Sequence, residues 1–191
     1  MVNIIRSILF CSLLVLNYAS YAQSTKKLAK DTLIWRADSL LTVEHFQAKR
    51  NTVKGAFAYT TTTIWLYQRD IDGELLFFVD AIFLKSKSFL PKDAPYALNH
   101  EQKHFDLCEV YARKMRQKIA EKDFTKVRDI EAEIGRIYNR VMADYFKEQE
   151  QFDKDTQHGM NAAKQQVWNE KIATMLTELD AFSSNRVSIT K

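Results

Sequence analysis

The sequence predicts an α+β fold in which a strand-rich N-terminal half packs against three C-terminal helices. Up to about residue 90, the chain contains runs that are dense in aromatic and β-branched residues. After Tyr96 it shows apolar residues spaced three and four apart, which is typical of helices packed on one side. Strands followed by helices along one chain are the α+β pattern.

Three runs predict strands in the N-terminal half, at residues 33–35, 56–67 and 75–84. The Asp-Gly pair at 72–73 stands between the last two runs and indicates a hairpin turn. Residues 39–49 fit either a short helix or a strand. The runs also hold an aromatic band that we expect to be core rather than a ligand platform: Phe57, Tyr59, Trp65, Tyr67, Phe77 and Phe78.

The C-terminal half predicts three helices, over residues 97–121, 124–152 and 161–181. Asp123 or Thr125 is expected to cap the second helix, because short polar side chains satisfy the free N–H groups at a helix start. The second helix carries a clear apolar stripe, formed by Ile130, Ile134, Ile137, Val141 and Tyr145.

The first 22 residues have the features of a signal peptide. Arg6 precedes an apolar run at 8–16, and small residues lead to a cleavage point after Ala22. We therefore divide the chain into a signal peptide at 1–22, a loose leader at 23–31 and a single domain at 32–191. This predicts a secreted or periplasmic protein of the bacterial envelope, with no membrane span in the mature chain, because the apolar run is too short for one.

Composition excludes several classes of function. The net charge of +4 is modest and the basic residues are interspersed with acidic ones, which argues against nucleic-acid binding. Four glycines are too few for a nucleotide-binding glycine loop. The mature chain contains one cysteine, Cys108, so it cannot form an internal disulfide. No feature of the sequence indicates an oligomeric state.

The residues that point to chemistry are His100, Glu101 and His104. Positions four apart lie on the same face of a helix, so both imidazoles can reach one metal ion. Zinc readily accepts two neutral imidazole nitrogens, and a neighbouring glutamate can move a proton. The pattern predicts one Zn²⁺ ion, with Glu101 as the general base.

A catalytic zinc site needs a third protein ligand. On a straight helix, Glu109 is rotated away from the two histidines. Cys108 lies on the histidine face, but a lone thiol inside a helix is typically a small buried hydrophobe.

The remaining candidates for the third ligand lie further along the chain. His158 is our first choice, with Asp153 and Asp155 as alternative ligands or as groups that orient a ligand histidine. Antiparallel helices would instead bring Asp144 to the motif. The choice of His158 requires the second helix to end or bend near Gln149.

Two blocks of sequence, at 98–106 and 152–159, resemble an uncharacterised bacterial domain family whose members are labelled predicted secreted zinc-dependent proteases. Its motifs are His-Glu-x-x-His-Phe and Tyr-Asp-x-x-Thr-x-His-Gly, and Phe152 stands here in place of the usual tyrosine. The resemblance, which also takes in Gln166-Val167-Trp168, extends over most of the mature chain. It implies that Asp153, Thr156 and His158 belong to the site.

These observations predict a zincin-like metallopeptidase that hydrolyses a peptide or protein substrate. An edge strand within 75–90 is expected to pair with the extended peptide. Two alternatives remain open. One is a catalytically inactive, zinc-stabilised envelope binding protein with four protein ligands on the metal, and the other is a helical adaptor that binds no metal.

Overall fold

The computed structural model describes residues 30–49, 57–72 and 74–189. The predicted signal peptide and nearly all of the predicted leader lie outside these residues, as does Gly73 of the predicted turn. The contacts between residues separate the chain into two compact units, and the boundary follows Leu33. Before that point the described residues are 30–33, which include the start of a short strand, β1 (Thr32–Ile34). The long strands, the helices and the candidate site all lie in the second unit, residues 34–191.

The longest strands form the predicted hairpin. Strand β2 (Thr62–Ile71) pairs antiparallel with β3 (Glu74–Leu84), and the register places Ile71 opposite Glu74. Asp72 in the connection has a φ of 55°, the left-handed region that tight hairpin turns use. On its other side β3 pairs antiparallel with β4 (Arg186–Ser188), so β3 is flanked on both sides.

The predicted peptide-binding edge within 75–90 is therefore wrong, because β3 is an internal strand. Among the described strands, β2 is paired on one side only, and its other side forms an edge of the sheet together with the residues that precede it. Tyr59 and Phe89 exchange two backbone hydrogen bonds, of 2.8 and 2.9 Å between nitrogen and oxygen. Backbone groups alternate in direction along an extended chain, so those of Thr60, which follows Tyr59, face away from Phe89.

Three helices follow the sheet: α1 (Leu98–Ala120), α2 (Ile130–Thr156) and α3 (Ala162–Glu178). Helix α1 packs against the sheet as well as against α2 and α3. Its side chains are buried around nearly its whole circumference. The ring of Phe105 on α1 lies 5.7 Å from that of Phe83 on β3, and both are almost fully buried.

The predicted cap of the second helix is wrong. Asp129 caps α2 by accepting a hydrogen bond from the Ala132 N–H, 2.9 Å away. Asp123 instead accepts from the Thr125 N–H and caps a separate 3₁₀ turn, Phe124–Lys126. The chain is extended at Val127, and this interrupts the helical pattern that the sequence suggested.

The aromatic band is only partly core. Phe77 is 2% exposed, as predicted, but Phe57 and Tyr67 are 47% and 39% exposed. Tyr67 stacks on the ring of Phe78 with centroids 5.1 Å apart. Alternate residues of a strand point to opposite faces, so a continuous aromatic run cannot all face the helices.

The predicted α+β class is confirmed, with an antiparallel sheet in the N-terminal part and three helices packed against it. Likeness to zincins stays a prediction. Within the described ranges, none of the helices combines the length and the apolar character that crossing a membrane requires.

Gly135 offers a test of how α2 is packed. A Cβ built at this position meets no atom within 4 Å, and the residue lies inside the helix. We expect Gly135→Ala to raise the free energy of unfolding by roughly 0.5–1 kcal/mol, because alanine loses less backbone entropy in a helix. Urea denaturation measures the change. A destabilised variant would contradict this placement of α2.

Candidate metal centre

The motif residues occupy the first two turns of α1, where the helix enters the core. His100 and His104 lie one turn apart, with ring centroids 4.7 Å apart and ring planes nearly perpendicular. Their Nε2 atoms approach to 3.1 Å. The two imidazoles thus converge on one point, as the four-residue spacing predicts.

Helix α2 supplies a third group at the same point. Oδ1 of Asp153 lies 3.0 Å from Nε2 of His100 and 3.0 Å from Nε2 of His104. Because α2 runs antiparallel to α1, Gln149 lies beside His104 and Asp153 reaches His100 one turn later. His100, His104 and Asp153 form a group that could hold a metal ion.

The spacing of the three atoms fits a tetrahedral zinc ion. With metal–ligand bonds of about 2.0–2.2 Å, a tetrahedral ion holds its ligand atoms roughly 3.3–3.6 Å apart. The three distances here, 3.0, 3.0 and 3.1 Å, are shorter than that range by a few tenths of an ångström. Three ligands on one side of a tetrahedron leave the fourth position free, as a catalytic site requires.

Two glutamines orient the histidine rings. Oε1 of Gln165 lies 3.0 Å from Nδ1 of His100, and Oε1 of Gln149 contacts Nδ1 of His104. The amide of Gln165 is itself oriented, since its Nε2 donates to Asn169. The amide of Gln149 donates to the His104 carbonyl, 2.9 Å away. An amide oxygen only accepts hydrogen bonds, so each Nδ1 must carry the ring proton.

This arrangement leaves both Nε2 atoms as acceptors when the rings are neutral. Two lone pairs and a carboxylate oxygen then face one another within 3.1 Å, and they repel unless positive charge lies among them. Protons or a metal ion can supply that charge. The donor set therefore fits a divalent cation, and neutral imidazoles are the form that binds one.

The same cluster shifts the pKa values of its members. Burial alone would raise the pKa of Asp153, but hydrogen bonds and charge from His100 and His104 outweigh it and hold the pKa below its ordinary range. Burial lowers the pKa of His104, and Asp153 reverses this, so the His104 pKa is raised. Each shift favours the charged pair of carboxylate and imidazolium.

Glu101 differs from its neighbours in the hydrogen bonding of its carboxylate. Its side chain is 3% exposed, and among the residues that the structure describes nothing hydrogen-bonds to its Oε2. Burial raises the pKa of this carboxyl, and the nearby His104 only partly offsets that effect. An unpaired buried carboxylate oxygen is costly, which marks it as a functional group.

The cluster opens into a pocket of about 760 Å³. One wall is the segment of Ala58 to Thr60, and another is the turn that precedes α1. The loop that follows α2 forms the remaining side. A ligand could therefore reach the triad and Glu101 from solvent through this pocket.

The structure distributes the predicted site residues unevenly. His158 lies at the rim of the pocket with its side chain 76% exposed, and its Nδ1 is 3.4 Å from Oδ1 of Asp153. Asp155 instead accepts a hydrogen bond from the Trp168 indole, 3.1 Å away. Asp144 is exposed and faces the region of Lys114. Helix α2 does not end near Gln149, as the choice of His158 required, but continues to Thr156.

Thr156 shapes the loop that follows α2. Its hydroxyl donates to the Phe152 carbonyl, 2.7 Å away, and accepts from the Gly159 N–H at 3.3 Å. Gly159 has a φ of +82°, and a Cβ there would lie 3.0 Å from Cβ and Cγ of His100. The threonine and the glycine thus hold the loop against the back of His100, whose ring stacks on Phe152.

Glu109 and Cys108, which the sequence does not favour as ligands, contact other partners in the structure. Glu109 is buried and binds Arg113 and Arg116, at 3.0 and 2.8 Å. Cys108 is buried, and its Sγ lies 3.3 Å from the Thr63 carbonyl oxygen. Burial raises the pKa of this thiol to about 12, so it stays protonated.

Sequence reasoning missed Gln149 and Gln165. Gln149 precedes Asp153 by four residues, so helical spacing could have suggested a shared face. Gln165 had no such signal, since its role depends on how α3 packs against the start of α1.

The fold and the site together define an α+β protein with a His-His-Asp group that could hold a metal ion. Residues 94–159 match the model of a family described as a bacterial protein of unknown function (DUF922). The match includes all of α1, α2 and the loop to Gly159, but less of the chain than the resemblance suggested. No curated protein and no solved structure matches the chain.

The geometry predicts that Asp153, not His158, is the third ligand. We expect Asp153→Ala to lower the affinity for zinc by more than the roughly 10–100-fold that is typical when a residue behind a ligand is replaced. His158→Ala should retain stoichiometric zinc. Metal content after dialysis, measured by mass spectrometry, decides between them. Asp144→Asn is the control for loss of an exposed carboxylate on α2. The reverse result would restore His158 as the ligand.

The orientation of His100 by Gln165 can be tested separately. We expect Gln165→Met, which keeps the side-chain length, to weaken zinc binding about 10–100-fold because the ring loses its acceptor. Competition with a chelating dye measures the dissociation constant. Gln166→Met is a matched control, since Gln166 is exposed and bonds only Glu170 in the described structure. Equal effects of the two substitutions would refute the orienting role.

Proposed function

We propose that the protein is a secreted, zinc-dependent hydrolase that cleaves peptide bonds. The observation that carries this proposal is a pocket in which three ligand atoms converge beside Oε2 of Glu101, a carboxylate oxygen that has no hydrogen-bond partner in the described part of the chain. A purely structural metal site has four protein ligands and needs no free base.

His100, His104 and Asp153 are the residues that would hold the ion through Nε2, Nε2 and Oδ1. When bound, zinc polarises a carbonyl group and lowers the pKa of a coordinated water to about 7. Gln149 and Gln165 keep both imidazoles in the tautomer that presents Nε2. Phe152 packs against both rings, with centroids 4.6 and 4.9 Å away, and excludes water from behind them.

Glu101 is the proton carrier in this proposal. Its Oε2 takes a proton from the attacking water and then delivers it to the amine nitrogen that leaves. Burial supports this role, because a raised pKa brings the carboxyl closer to the pH at which it must both accept and donate. Its backbone is anchored by the Thr60 hydroxyl, which donates to the Glu101 carbonyl at 3.4 Å.

The pocket wall supports a peptide as the substrate. Thr60 lines the pocket, and its backbone groups face away from the Phe89 pairing. An extended peptide can add to such an edge by backbone hydrogen bonds. Export to the periplasm or beyond is part of the proposal, and its support is the signal-peptide pattern of the first 22 residues.

One observation favours a second candidate, an inactive zinc-binding envelope protein. His158 lies 3.4 Å from Oδ1 of Asp153, close enough that a change of rotamer could add it as a fourth ligand. Four protein ligands would close the site to water. Oε2 of Glu101, which has no partner among the described residues, favours the hydrolase instead. A helical adaptor that binds no metal would not explain why the lone pairs of His100 and His104 converge.

Substitution of Glu101 tests the enzyme directly. We expect zinc-loaded Glu101→Gln to lose about 10²–10⁴-fold in the rate of peptide cleavage, because the amide cannot carry the proton, while metal content stays unchanged. Cleavage of a mixed peptide library, followed by mass spectrometry, gives the rate. Glu121→Gln, at the exposed end of α1, is the matched control. If zinc-loaded wild type cleaves no peptide, the hydrolase proposal fails.

A further inference from the structure

Several exposed apolar side chains lie at the mouth of the pocket. Phe57, Tyr96 and Met160 line it and are 47%, 76% and 78% exposed. They come from three separate segments: the chain before β2, the turn before α1 and the loop after α2. Scattered apolar residues are normal on a surface, but several that converge on one concavity mark a binding surface.

Two of these side chains are already arranged as a flat wall. The rings of Phe57 and Tyr96 are stacked, with centroids 6.3 Å apart and an angle of 18° between their planes. Met160 follows Gly159 directly and brings a flexible thioether to the rim. Aromatic faces and methionine adapt well to large apolar groups, which they contact over a wide area.

Few of the described residues that line the pocket can carry a charge. Among the lining residues that the structure describes, those outside the histidines, Glu101 and Asp153 are uncharged. A carboxylate placed against the stacked rings would lose water without gaining a partner there, and an ammonium group would regain only part of its hydration through the aromatic faces. The pocket volume of about 760 Å³ leaves room for a large apolar side chain beside His100, His104 and Asp153.

We propose that the pocket selects a peptide with an aromatic or long aliphatic side chain next to the bond held at the His-His-Asp group. This inference rests on the proposed function, since it assigns the substrate class of the same site. The stacked rings of Phe57 and Tyr96 and the side chain of Met160 contact the selected side chain, while the backbone of Thr60 pairs with the peptide.

Binding without turnover tests the inference. The probes are fluorescein-labelled hexapeptides of sequence Ala-Ala-Ala-X-Ala-Ala, where X is phenylalanine, leucine, alanine, aspartate or lysine. They are titrated by fluorescence anisotropy against the zinc-loaded Glu101→Gln protein. We expect phenylalanine and leucine to bind about tenfold tighter than alanine, because their burial removes apolar surface from water. Aspartate should bind more weakly than alanine, and lysine more weakly than phenylalanine, because a charged group loses water on burial.

Variants locate the selectivity. Added to the Glu101→Gln protein, Tyr96→Ala and Met160→Ala should each reduce the preference for phenylalanine over alanine at least threefold. Phe146→Ala, which removes an exposed ring on α2 away from the pocket, should leave it unchanged. Zinc content, measured on each variant, should remain stoichiometric, because neither Tyr96 nor Met160 is a ligand.

The outcomes separate this inference from the proposed hydrolase. Equal affinity for all five peptides, no measurable binding, or a preference that survives both pocket substitutions would overturn the selectivity. Cleavage of a peptide library by wild type without apolar preference would overturn it too and leave the hydrolase standing. If the protein binds these peptides selectively but cleaves none, the selectivity of the pocket is supported and the hydrolase proposal fails.

Discussion

The structure depends on one electrostatic constraint, the approach of three electron-rich atoms in a partly buried cluster. Nε2 of His100, Nε2 of His104 and Oδ1 of Asp153 lie within 3.1 Å of one another. In a medium of low dielectric constant, such an arrangement is stable only around positive charge. The packing of the start of α1 against the end of α2 is therefore coupled to the ion or protons that the cluster holds.

The surroundings hold this cluster in place from behind. Gln149 and Gln165 set the ring orientations, Phe152 stacks on His100, and Gly159 permits the loop to approach the same ring. Towards the far end of α1, Arg116 ties the helix to the Val79 carbonyl on β3 and pairs with Glu109 of the same helix. Ligands fixed by packing and by outer hydrogen bonds need little rearrangement when a metal binds.

The site is asymmetric, and this asymmetry connects structure with the proposed chemistry. Behind the ligand atoms lie buried aromatic rings and amides, whereas in front lies a pocket with an extended backbone on one wall and exposed apolar side chains at its mouth. Glu101 stands between the two with one unsatisfied oxygen. The family match ends at Gly159, so α1, α2 and the loop that contacts His100 form the matched unit.

The sequence by itself determined the local features. The strand pair, its turn, the three helices and the shared face of His100 and His104 follow from periodicity and four-residue spacing, which are properties of neighbouring residues. Only the tertiary structure decided what lies opposite that face. The length of the connection before Asp129 and the packing of α2 and α3 place Asp153, Gln149 and Gln165 beside the histidines, and these depend on contacts between residues 45 to 65 positions apart.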